Sequence, residues 1–568
     1  MARPNLSAVV ASLVPKSVEC LRDYSWSKFF QDLVAGITVG LVALPLAMAF
    51  AISSGVLPQA GIYCAIVAGF LISAFGGSRT QIGGPTGAFV VVVAGIVEKH
   101  GIDGLFMTTM IAGVFLMILG VTGLGTAVKF IPRPVVIGFT NGIAVLIAST
   151  QIKDFFGLNI AHVPGEFIGR MDTIFNNFSS IDAQSTGLAM MMLALIILFT
   201  TFVKRVPGAI VAMLLGTLLV WILKIPVDTI ETRFGGIPSG APAIHIPNFR
   251  AELILPLMSS IITVTMLGAI ESLLSAVVSD RMSGDKHNPN MELFAQGIAN
   301  IVSPLFGGLP ATGAIARTAT NVRSGARTPM AGMIHAVVLL IILLVGAEYA
   351  KLIPLCVLSA ILFVVAYNMG EWREIPEIIR LGRAPTAVWL ITFMLTVFAD
   401  LTVAVEAGMI LACLLFVGRI TATTRVERIT PEDIESADEH SLQTNELPEG
   451  VAIYRIHGPF MFGSTDKLDV IERDLEDLPK VVMLRLRDMN AMDTTGIKAI
   501  EHIGAVLKRS NRYLLICGLR GQPLELFERA HLGKILGEEN VLPSLRAGIQ
   551  RASALLASEV RPISSNVD

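Results

Sequence analysis

Residues 83–97 read GGPTGAFVVVVAGIV, and residues 307–321 read GGLPATGAIARTATN. Each stretch combines a glycine pair, a proline, a threonine and Gly-Ala, and each lies between long apolar segments. Glycine and proline interrupt helices, so these stretches predict two interrupted membrane helices. Their threonines are 226 positions apart, which indicates that the chain contains two copies of one unit.

The composition is typical of a polytopic helical membrane protein. Of the 568 residues, 53% are hydrophobic and 15% are charged, and the mean hydropathy is +0.68. Soluble domains carry about 25% charged residues. Apolar runs long enough to cross a bilayer recur from about residue 32 to residue 420, which predicts an all-α transmembrane domain.

Several classes of function find no support in the sequence. The net charge is −2 and there is no basic stripe, so we expect no nucleic-acid partner. Five scattered cysteines predict neither a disulfide framework nor a metal site. A glycine-rich phosphate-binding loop and a cleavable signal pattern are both missing from the sequence. We therefore expect no cofactor, no metal and no enzymatic activity.

A change in composition divides the chain. We expect an N-terminal segment (1–30), a transmembrane domain (31–420) with repeats at about 31–225 and 251–420, a polar linker (421–449) and a small α/β domain (450–568). In the last segment, alternating runs such as VAIYRI predict strands, and runs such as TTGIKAIEHIGAVLKR predict helices.

The distribution of Lys and Arg predicts the topology. These residues cluster before the first span, in alternate loops and after the last span, while the loops at 158–185 and 225–250 are poor in them. By the positive-inside rule, both termini are cytoplasmic, in the inner (plasma) membrane, and the number of crossings is even. Counting apolar segments gives about fourteen spans.

The repeat predicts a binding site. An odd number of spans in each half makes the two copies inverted, and matching interrupted helices are typical of transporter sites. Thr86 and Thr312 are predicted N-caps, with Gly87-Ala88 and Gly313-Ala314 supplying free amides to an anion. Gly87 and Gly313 are then expected to tolerate bulky replacements equally poorly. The alternative is that these glycines only allow close helix packing.

Two intramembrane charges strengthen the prediction of an anion site. Arg317 follows Thr312 by five positions, and Glu271 lies in a span with few other charges. Intramembrane charges are costly and mark functional sites. Arg317 is predicted to attract the anion and Glu271 to carry a coupled proton. The alternatives are that Arg317 extends to the membrane surface, or that the two residues pair structurally.

At these motifs the chain resembles the SulP family, the sulfate-permease group of anion transporters. The resemblance rests on DLVAGITVGLVALPLAMAFA, LPQAGIYCAIVAGFLISAFGGSRTQIGGPTGA, AIESLLSAVVSD and ATGAIARTATNVRSGARTP, and on a tail similar to a STAS domain. It implies a seven-plus-seven inverted repeat, a core domain moving like an elevator against a gate domain, and a homodimer.

The resemblance also implies a site between the first, third, eighth and tenth spans. Carried over, the proton-coupling residue is Glu271 and the substrate-binding residues are Ala47, Met48, Thr86, Gly87, Ala88, Phe89, Ser275, Gly313, Ala314, Ile315 and Arg317. Sodium-coupled bicarbonate members look to carry Asp where this chain has Glu271. That difference favours a proton over sodium as the coupled ion.

The STAS-like tail suggests regulation. In related signalling proteins, a hydroxyl at a helix start after an aspartate is phosphorylated. Here Asp493 precedes Thr494 and Thr495, which are therefore candidate phosphorylation sites. The alternative is an ordinary helix cap. The tail is also a candidate surface for a cytoplasmic protein partner.

The expected function is secondary transport of a small anion, which could be a dicarboxylate, sulfate or bicarbonate. Small residues around the predicted site favour a dicarboxylate weakly. The alternatives are an anion channel or uncoupled exchanger on the same scaffold, and a nucleobase permease, which would lack the STAS tail. Besides the anion and the proton, membrane lipid is the expected partner.

Overall fold

The computed structural model describes residues 14–126, 132–160, 163–203, 207–238, 240–244, 246–399, 401–429 and 448–560. The chain divides into two compact units, Met1–Ala412 and Cys413–Asp568.

The membrane helices form two series. The first comprises α2 (Trp26–Ser53), α3 (Pro58–Phe75), α4 (Ala88–Val121), α5 (Arg133–Phe156), α7 (Ala183–Phe202) and α8 (Gly208–Leu223). The second comprises α10 (Ile254–Ser283), α11 (Pro289–Val302), α12 (Ile315–Arg323), α13 (Met330–Ala350), α14 (Leu355–Met369), α16 (Arg383–Phe398) and α17 (Leu401–Thr423). Shorter helices are α1 (Lys16–Leu21), α6 (Phe167–Asn176), α9 (Ile230–Phe234) and α15 (Ile375–Arg380).

Each series contains seven helical segments, because α4 consists of two helices joined at Gly101. The φ angle of Gly101 is 71°, a conformation that glycine adopts readily and that ends the first half-helix. Pro132 and Pro354 cap equivalent helices with nearly identical backbone angles, as the repeat predicts. The fold of two seven-helix repeats is confirmed.

Within the described residues, nine helices are long and apolar enough to cross a membrane. Two more apolar helices, α8 and α16, are shorter. The remaining difference from fourteen has two causes: α4 contains two segments, and α11 and α12 are short helices beside the second interruption. Length and hydropathy alone therefore undercount the spans in this architecture.

The two interruptions meet as a short antiparallel ladder. β1 (Gly83–Gly84) pairs with β2 (Thr312–Gly313), with Gly83 opposite Gly313 and Gly84 opposite Thr312. Because antiparallel strands run in opposite directions, the half-helices that follow them leave the ladder at opposite ends. This is the arrangement that an inverted repeat requires.

The helices of the first unit form two packed groups. The core group contains α2, α3, α4 and α10 to α13, and so combines helices of both repeats. Gly113 of α4 and Gly297 of α11 allow a close approach of these two helices: a Cβ on either would lie 2.6–2.7 Å from the other's carbonyl oxygen. Small residues of this kind drive helix packing in membranes.

The gate group contains α5, α7, α8, α14 and α16. A buried amide joins three of these helices. Asn141 of α5 donates from Nδ2 to the carbonyl oxygen of Gly370, which follows α14, and its Oδ1 accepts from Trp389 Nε1 of α16 at 2.8 Å. Asn141 is fully buried, so the group has a polar connection in its interior.

The second unit contains a five-stranded sheet in the order β3-β4-β5-β6-β7. The strands are β3 (Arg425–Arg428), β4 (Val451–His457), β5 (Val481–Arg485), β6 (Tyr513–Cys517) and β7 (Val541–Leu542). β3 is antiparallel to β4, and the other pairs are parallel. The helices are α18 (Asp469–Arg473), α19 (Thr494–Arg509), α20 (Gly521–Arg529), α21 (Leu532–Leu536) and α22 (Leu545–Val560).

The structure differs from two predicted boundaries. The linker predicted at 421–449 contains the end of α17 and strand β3, and its residues 430–447 lie outside the described residues. β3 is an edge strand with mostly exposed side chains, so it lacks the alternation that predicts strands. The first membrane helix begins at Trp26 rather than residue 31, with Ser25 as its N-cap.

Asp32 of α2 connects the first repeat to the segment before α13. Its Oδ1 accepts from Arg327 N at 2.7 Å and from Thr328 N at 3.1 Å, and its Oδ2 accepts from Thr328 Oγ1 at 2.6 Å. Asp32 is completely buried. These bonds hold the end of the second half-helix segment against the first span.

We expect Asp32→Ala to lower the stability of the folded protein by about 3 kcal/mol, because the amides of Arg327 and Thr328 and the Thr328 hydroxyl lose their acceptor. Thermal unfolding of the purified protein in detergent measures the change. Asp23→Ala, at an exposed position just before α2, serves as the control and should melt like the wild type. Equal melting of Asp32→Ala and the wild type would contradict the structural role.

Candidate anion site at the paired half-helices

The helix starts at the two interruptions differ from the predicted caps. The N-cap of α4 is Gly87 and that of α12 is Ala314, and neither makes a side-chain cap hydrogen bond. The expectation that Thr86 and Thr312 cap these helices is therefore wrong. Both hydroxyls instead bind α10, because α10 lies against the two interruptions.

The two threonines bind neighbouring residues of α10. Thr86 Oγ1 donates to Glu271 Oε2 at 2.8 Å. Thr312 Oγ1 donates to the carbonyl oxygen of Gly268 at 3.1 Å and lies 2.7 Å from Ser272 Oγ. One helix of the second repeat thus fixes both interruptions.

The free amides are also distributed differently than expected. Gly313 N donates to Ser272 Oγ at 3.3 Å, and Ala314 N donates to Ile82 O at 2.8 Å, so both are occupied. The first helical hydrogen bond of α12 runs from Thr318 N to Ala314 O, which leaves the amides of Ile315 and Ala316 without helical acceptors. In α4, the amides of Gly87 and Ala88 precede the first helical bonds, as predicted.

Arg317 lies inside the core group and binds the first interruption. Its Nη2 donates to the carbonyl oxygen of Pro85. Only 2% of the residue is exposed, yet within the described part of the chain Nη1 has no hydrogen-bond partner. A buried guanidinium with an unused donor is costly, and a bound anion would satisfy it.

Gly84 creates the space that this guanidinium occupies. A Cβ on Gly84 would lie 2.8 Å from Arg317 Nη1, and its φ of 142° is unfavourable for other residues. Arg317 therefore does not extend to the membrane surface. Nor does it form an ion pair with Glu271 among the described residues: both charged side chains bind the first interruption, at Pro85 and at Thr86.

Ser275, the remaining predicted site residue of α10, contributes to the contact with α12. Ser275 Oγ lies 3.1 Å from Thr318 Oγ1, and that oxygen also accepts from Ile82 N at 3.0 Å. One turn further, Ser279 Oγ lies 2.6 Å from Thr80 Oγ1. The hydroxyl of Ser275, a predicted substrate-binding residue, is therefore engaged in the contact between α10 and α12.

The other predicted residues surround this centre from α2, α4 and α12. Ala47 and Met48 lie two and three positions after Pro45, which is inside the continuous helix α2, and are at most 1% exposed. Phe89 is buried against α10, where its ring lies near Gly268. Ile315 is half-buried at the first position of α12. The structure thus brings the predicted residues into one region.

Gly87 and Gly313 have different surroundings. A Cβ on Gly87 would approach the flexible ends of side chains, the nearest being Ile147 Cδ1 at 2.6 Å. A Cβ on Gly313 would overlap Gln81 Nε2 and lie 3.1 Å from the backbone of Ser272. Gln81 Nε2 in turn donates to Ser272 O. These surroundings do not support the expectation that the two glycines are equally sensitive to bulky replacements. A side chain at 313 would also disrupt the packing against Gln81 and Ser272.

Sequence reasoning missed three buried ionisable residues of the core group. Asp32 is described above. Glu292 of α11 accepts from Gly77 N at 2.9 Å and from Gln296 Nε2 at 3.0 Å. His335 of α13 is fully buried beside Gly69. For Glu292 and His335 the available sequence signal is an ionisable residue within a mostly apolar helix, the same signal that points to Glu271 and Arg317.

The α/β unit presents the predicted hydroxyls at the start of α19. Asp493 is the N-cap: its Oδ1 accepts from Gly496 N and its Oδ2 from Phe462 N, each at 2.9 Å. Thr494 is exposed and Thr495 is half-buried. The cap role of Asp493 supports the alternative that this motif is an ordinary helix cap.

In the same unit, burial raises the pKa of the Cys517 thiol to about 12, so this thiol is not a nucleophile near neutral pH.

Comparisons with known proteins define the class of protein. The sulfate permease family model matches residues 29–392, and the STAS domain model matches residues 444–547. The first match covers more than half of the chain, and the chain therefore belongs to the sulfate permease family and carries a C-terminal STAS domain. The resemblance drawn from the motifs is confirmed.

Among curated proteins, YvdB of Bacillus subtilis, named as a candidate sulfate transporter, is 40% identical over 522 residues, which cover 91% of this chain and 97% of YvdB. The bicarbonate transporter BicA of Synechocystis is 32% identical over 555 residues, which cover 94% of this chain and 97% of BicA. These relatives are named as transporters.

Two solved structures support the fold. The inward-facing murine Solute Carrier 26 member A9 anion transporter has a TM-score of 0.85 at 18% identity, over 98% of this chain and 96% of that chain. The transmembrane domain of a cyanobacterial BicA has a TM-score of 0.59 at 34% identity, over 69% of this chain and 98% of that chain. The membrane domain and the STAS domain thus have the predicted architecture.

We expect Arg317→Ala to weaken binding of sulfate by about 10–100-fold, the range for a charged hydrogen bond. Arg317→Lys keeps the charge but cannot bind Pro85 and an anion through one planar fork, so its affinity should be intermediate. Titration calorimetry on the purified full chain measures both.

The matched control is Arg323→Ala, which removes an exposed arginine from the last turn of the same helix. It should bind sulfate like the wild type. If Arg317→Ala also binds sulfate like the wild type, Arg317 is not part of an anion site.

Proposed function

We propose that this protein is a secondary active transporter that binds a small anion between the N-terminal ends of its two half-helices. The observation that carries the proposal is the buried guanidinium of Arg317, which has an unused donor at Nη1. The amides of Gly87, Ala88, Ile315 and Ala316 add further donors without helical acceptors. Both helix ends favour negative charge.

The proposed coupled ion is a proton, carried by Glu271. Its carboxylate is buried and binds Thr86, next to the Pro85 carbonyl that holds Arg317. With Glu271 ionised, the two side chains have no net charge. Protonation of Glu271 leaves the arginine charge available to balance one negative charge on the substrate. Loading of a proton would thus favour loading of an anion, which is the requirement for symport.

The proposed movement is an elevator-type displacement of the core group against the gate group. Both half-helices, Glu271 and Arg317 belong to the core group, so the site would move as one body. The contact from the gate side at Gly87 is made by apolar side chain ends, Ile147 Cδ1 and Met369 Sδ. Such contacts slide without breaking hydrogen bonds.

The substrate proposed is sulfate or bicarbonate, the anions in the names of the relatives, and a dicarboxylate is the third candidate. The amides and the guanidinium suit any of them, because all present carboxylate-like or sulfate oxygens. A comparison of uptake into proteoliposomes, with and without a proton or sodium gradient, distinguishes the three anions, coupled transport from a channel, and proton from sodium coupling.

Further proposals concern the setting of the protein. We place it in the inner (plasma) membrane with both termini cytoplasmic, as a homodimer in contact with lipid. We propose a transport domain that runs from Trp26, where the first membrane helix begins, to about residue 420, followed by the polar linker and the STAS domain. The STAS domain is proposed to bind a cytoplasmic protein, and Thr494 or Thr495 is the candidate phosphorylation site.

We expect Glu271→Gln to abolish accumulation driven by a proton gradient while retaining anion exchange. Glutamine can still accept the hydrogen bond from Thr86 but cannot exchange a proton. Proteoliposomes with an imposed pH gradient measure accumulation of labelled sulfate or bicarbonate, and counterflow measures exchange.

Glu292→Gln is the matched control, since Glu292 is equally buried but binds Gly77 and Gln296 away from the interruptions. It should retain proton-driven accumulation. Normal accumulation by Glu271→Gln would refute the proposed coupling role.

A further inference from the structure

The gate group contributes one close contact to the start of the first half-helix. A Cβ on Gly87 would lie 2.6 Å from Ile147 Cδ1, 3.4 Å from Met369 Sδ and 3.4 Å from Phe50 Cε1. Ile147 lies on α5 and Met369 at the end of α14, both in the gate group, while Phe50 lies on α2. Of the gate side chains, that of Ile147 is therefore the nearest to a Cβ position at Gly87.

This contact is apolar and buried. Ile147 is completely buried, in one apolar cluster with Ala88, Phe89, Ile143 and Ala366. The polar partners of the site come from elsewhere: Arg317 and Glu271 reach the interruption from the second repeat. An anion at the amides of Gly87 and Ala88 would thus have charged and polar groups on the core side and an aliphatic surface on the gate side.

We infer that Ile147 is a specificity-determining residue, whose terminal methyl limits the size of the anion that fits beside Gly87, the N-cap of α4. The inference rests on the proposed anion transport and identifies a residue outside the predicted site. Gly87 itself provides no side chain, so the length of the side chain at 147 sets the free space. Met369, the other gate contact, has a flexible unbranched side chain and adapts more easily.

Stepwise shortening of the side chain at 147 should therefore increase the preference for larger anions stepwise. Ile147→Val removes the terminal methyl that lies nearest to Gly87, and Ile147→Ala removes two further carbons. Larger anions gain most from the added space, and a small anion such as bicarbonate gains least. An apolar pocket discriminates between substrates that differ by one methylene by about tenfold or more.

The experiment compares uptake of bicarbonate, sulfate and succinate by the full chain in proteoliposomes under one imposed gradient. The succinate-to-bicarbonate and sulfate-to-bicarbonate ratios should rise from wild type to Ile147→Val to Ile147→Ala, reaching about tenfold for succinate in the alanine variant. The change should lie in KM for the larger anions. Ile137→Ala, which shortens an equally buried isoleucine of the same helix, should leave the ratios unchanged.

The outcomes separate this inference from the proposed function. If the wild type takes up none of the three anions, anion transport itself is wrong, and the inference falls with it. If the wild type transports but both variants keep its ratios, or lose uptake of all anions by one common factor, Ile147 has only a packing role. Equal changes of the ratios in Ile137→Ala would also overturn the inference. Ile147→Val keeps the test valid if the alanine variant does not fold.

Discussion

Two opposite charges are buried at the same extended segment, and the rest of the membrane domain is arranged around them. Arg317 binds the carbonyl oxygen of Pro85 and Glu271 binds the hydroxyl of Thr86, one residue further on. Burial of an isolated charge costs several kcal/mol, so both side chains need partners inside the protein. An interrupted helix supplies such partners because its backbone groups are not used by helical bonds.

This constraint explains the inverted repeat in physical terms. A single interruption would leave its backbone hydrogen-bonding groups exposed to lipid. Two antiparallel interruptions pair as β1 and β2, so that each satisfies some of the backbone hydrogen-bonding groups of the other. The charged residues come from the second repeat and bind the first. Neither repeat can therefore form the site alone, and the core group necessarily combines helices from both.

Much of the architecture could be predicted from the sequence because it depends on regular patterns. Apolar length, matching interruptions and the Pro132 and Pro354 caps are local signals, and each has its counterpart in the structure. The intramembrane positions of Arg317 and Glu271 could also be recognised, since a charge within an apolar run is conspicuous at any distance from its partner.

The errors arose where long-range contacts override local rules. Thr86 and Thr312 lie at positions typical of helix N-caps, but their hydroxyls bind Glu271 and Ser272 of α10. A local capping rule does not include such distant partners. Gly87 and Gly313 occupy equivalent positions in the repeat, yet one faces flexible side chain ends and the other faces Gln81 and backbone. Asp32 lies near the end of an apolar run, where a charge is ordinary, so its burial gave no signal.

The most direct test of the account is the position of a bound anion. Selenate has the shape of sulfate, and its selenium scatters X-rays anomalously, so a crystal of the full chain soaked with selenate locates the anion by one peak. The account predicts selenate oxygens within about 3.5 Å of Arg317 Nη1 and of the first amides of a half-helix. A peak elsewhere, with Arg317 Nη1 still without a partner, would contradict it.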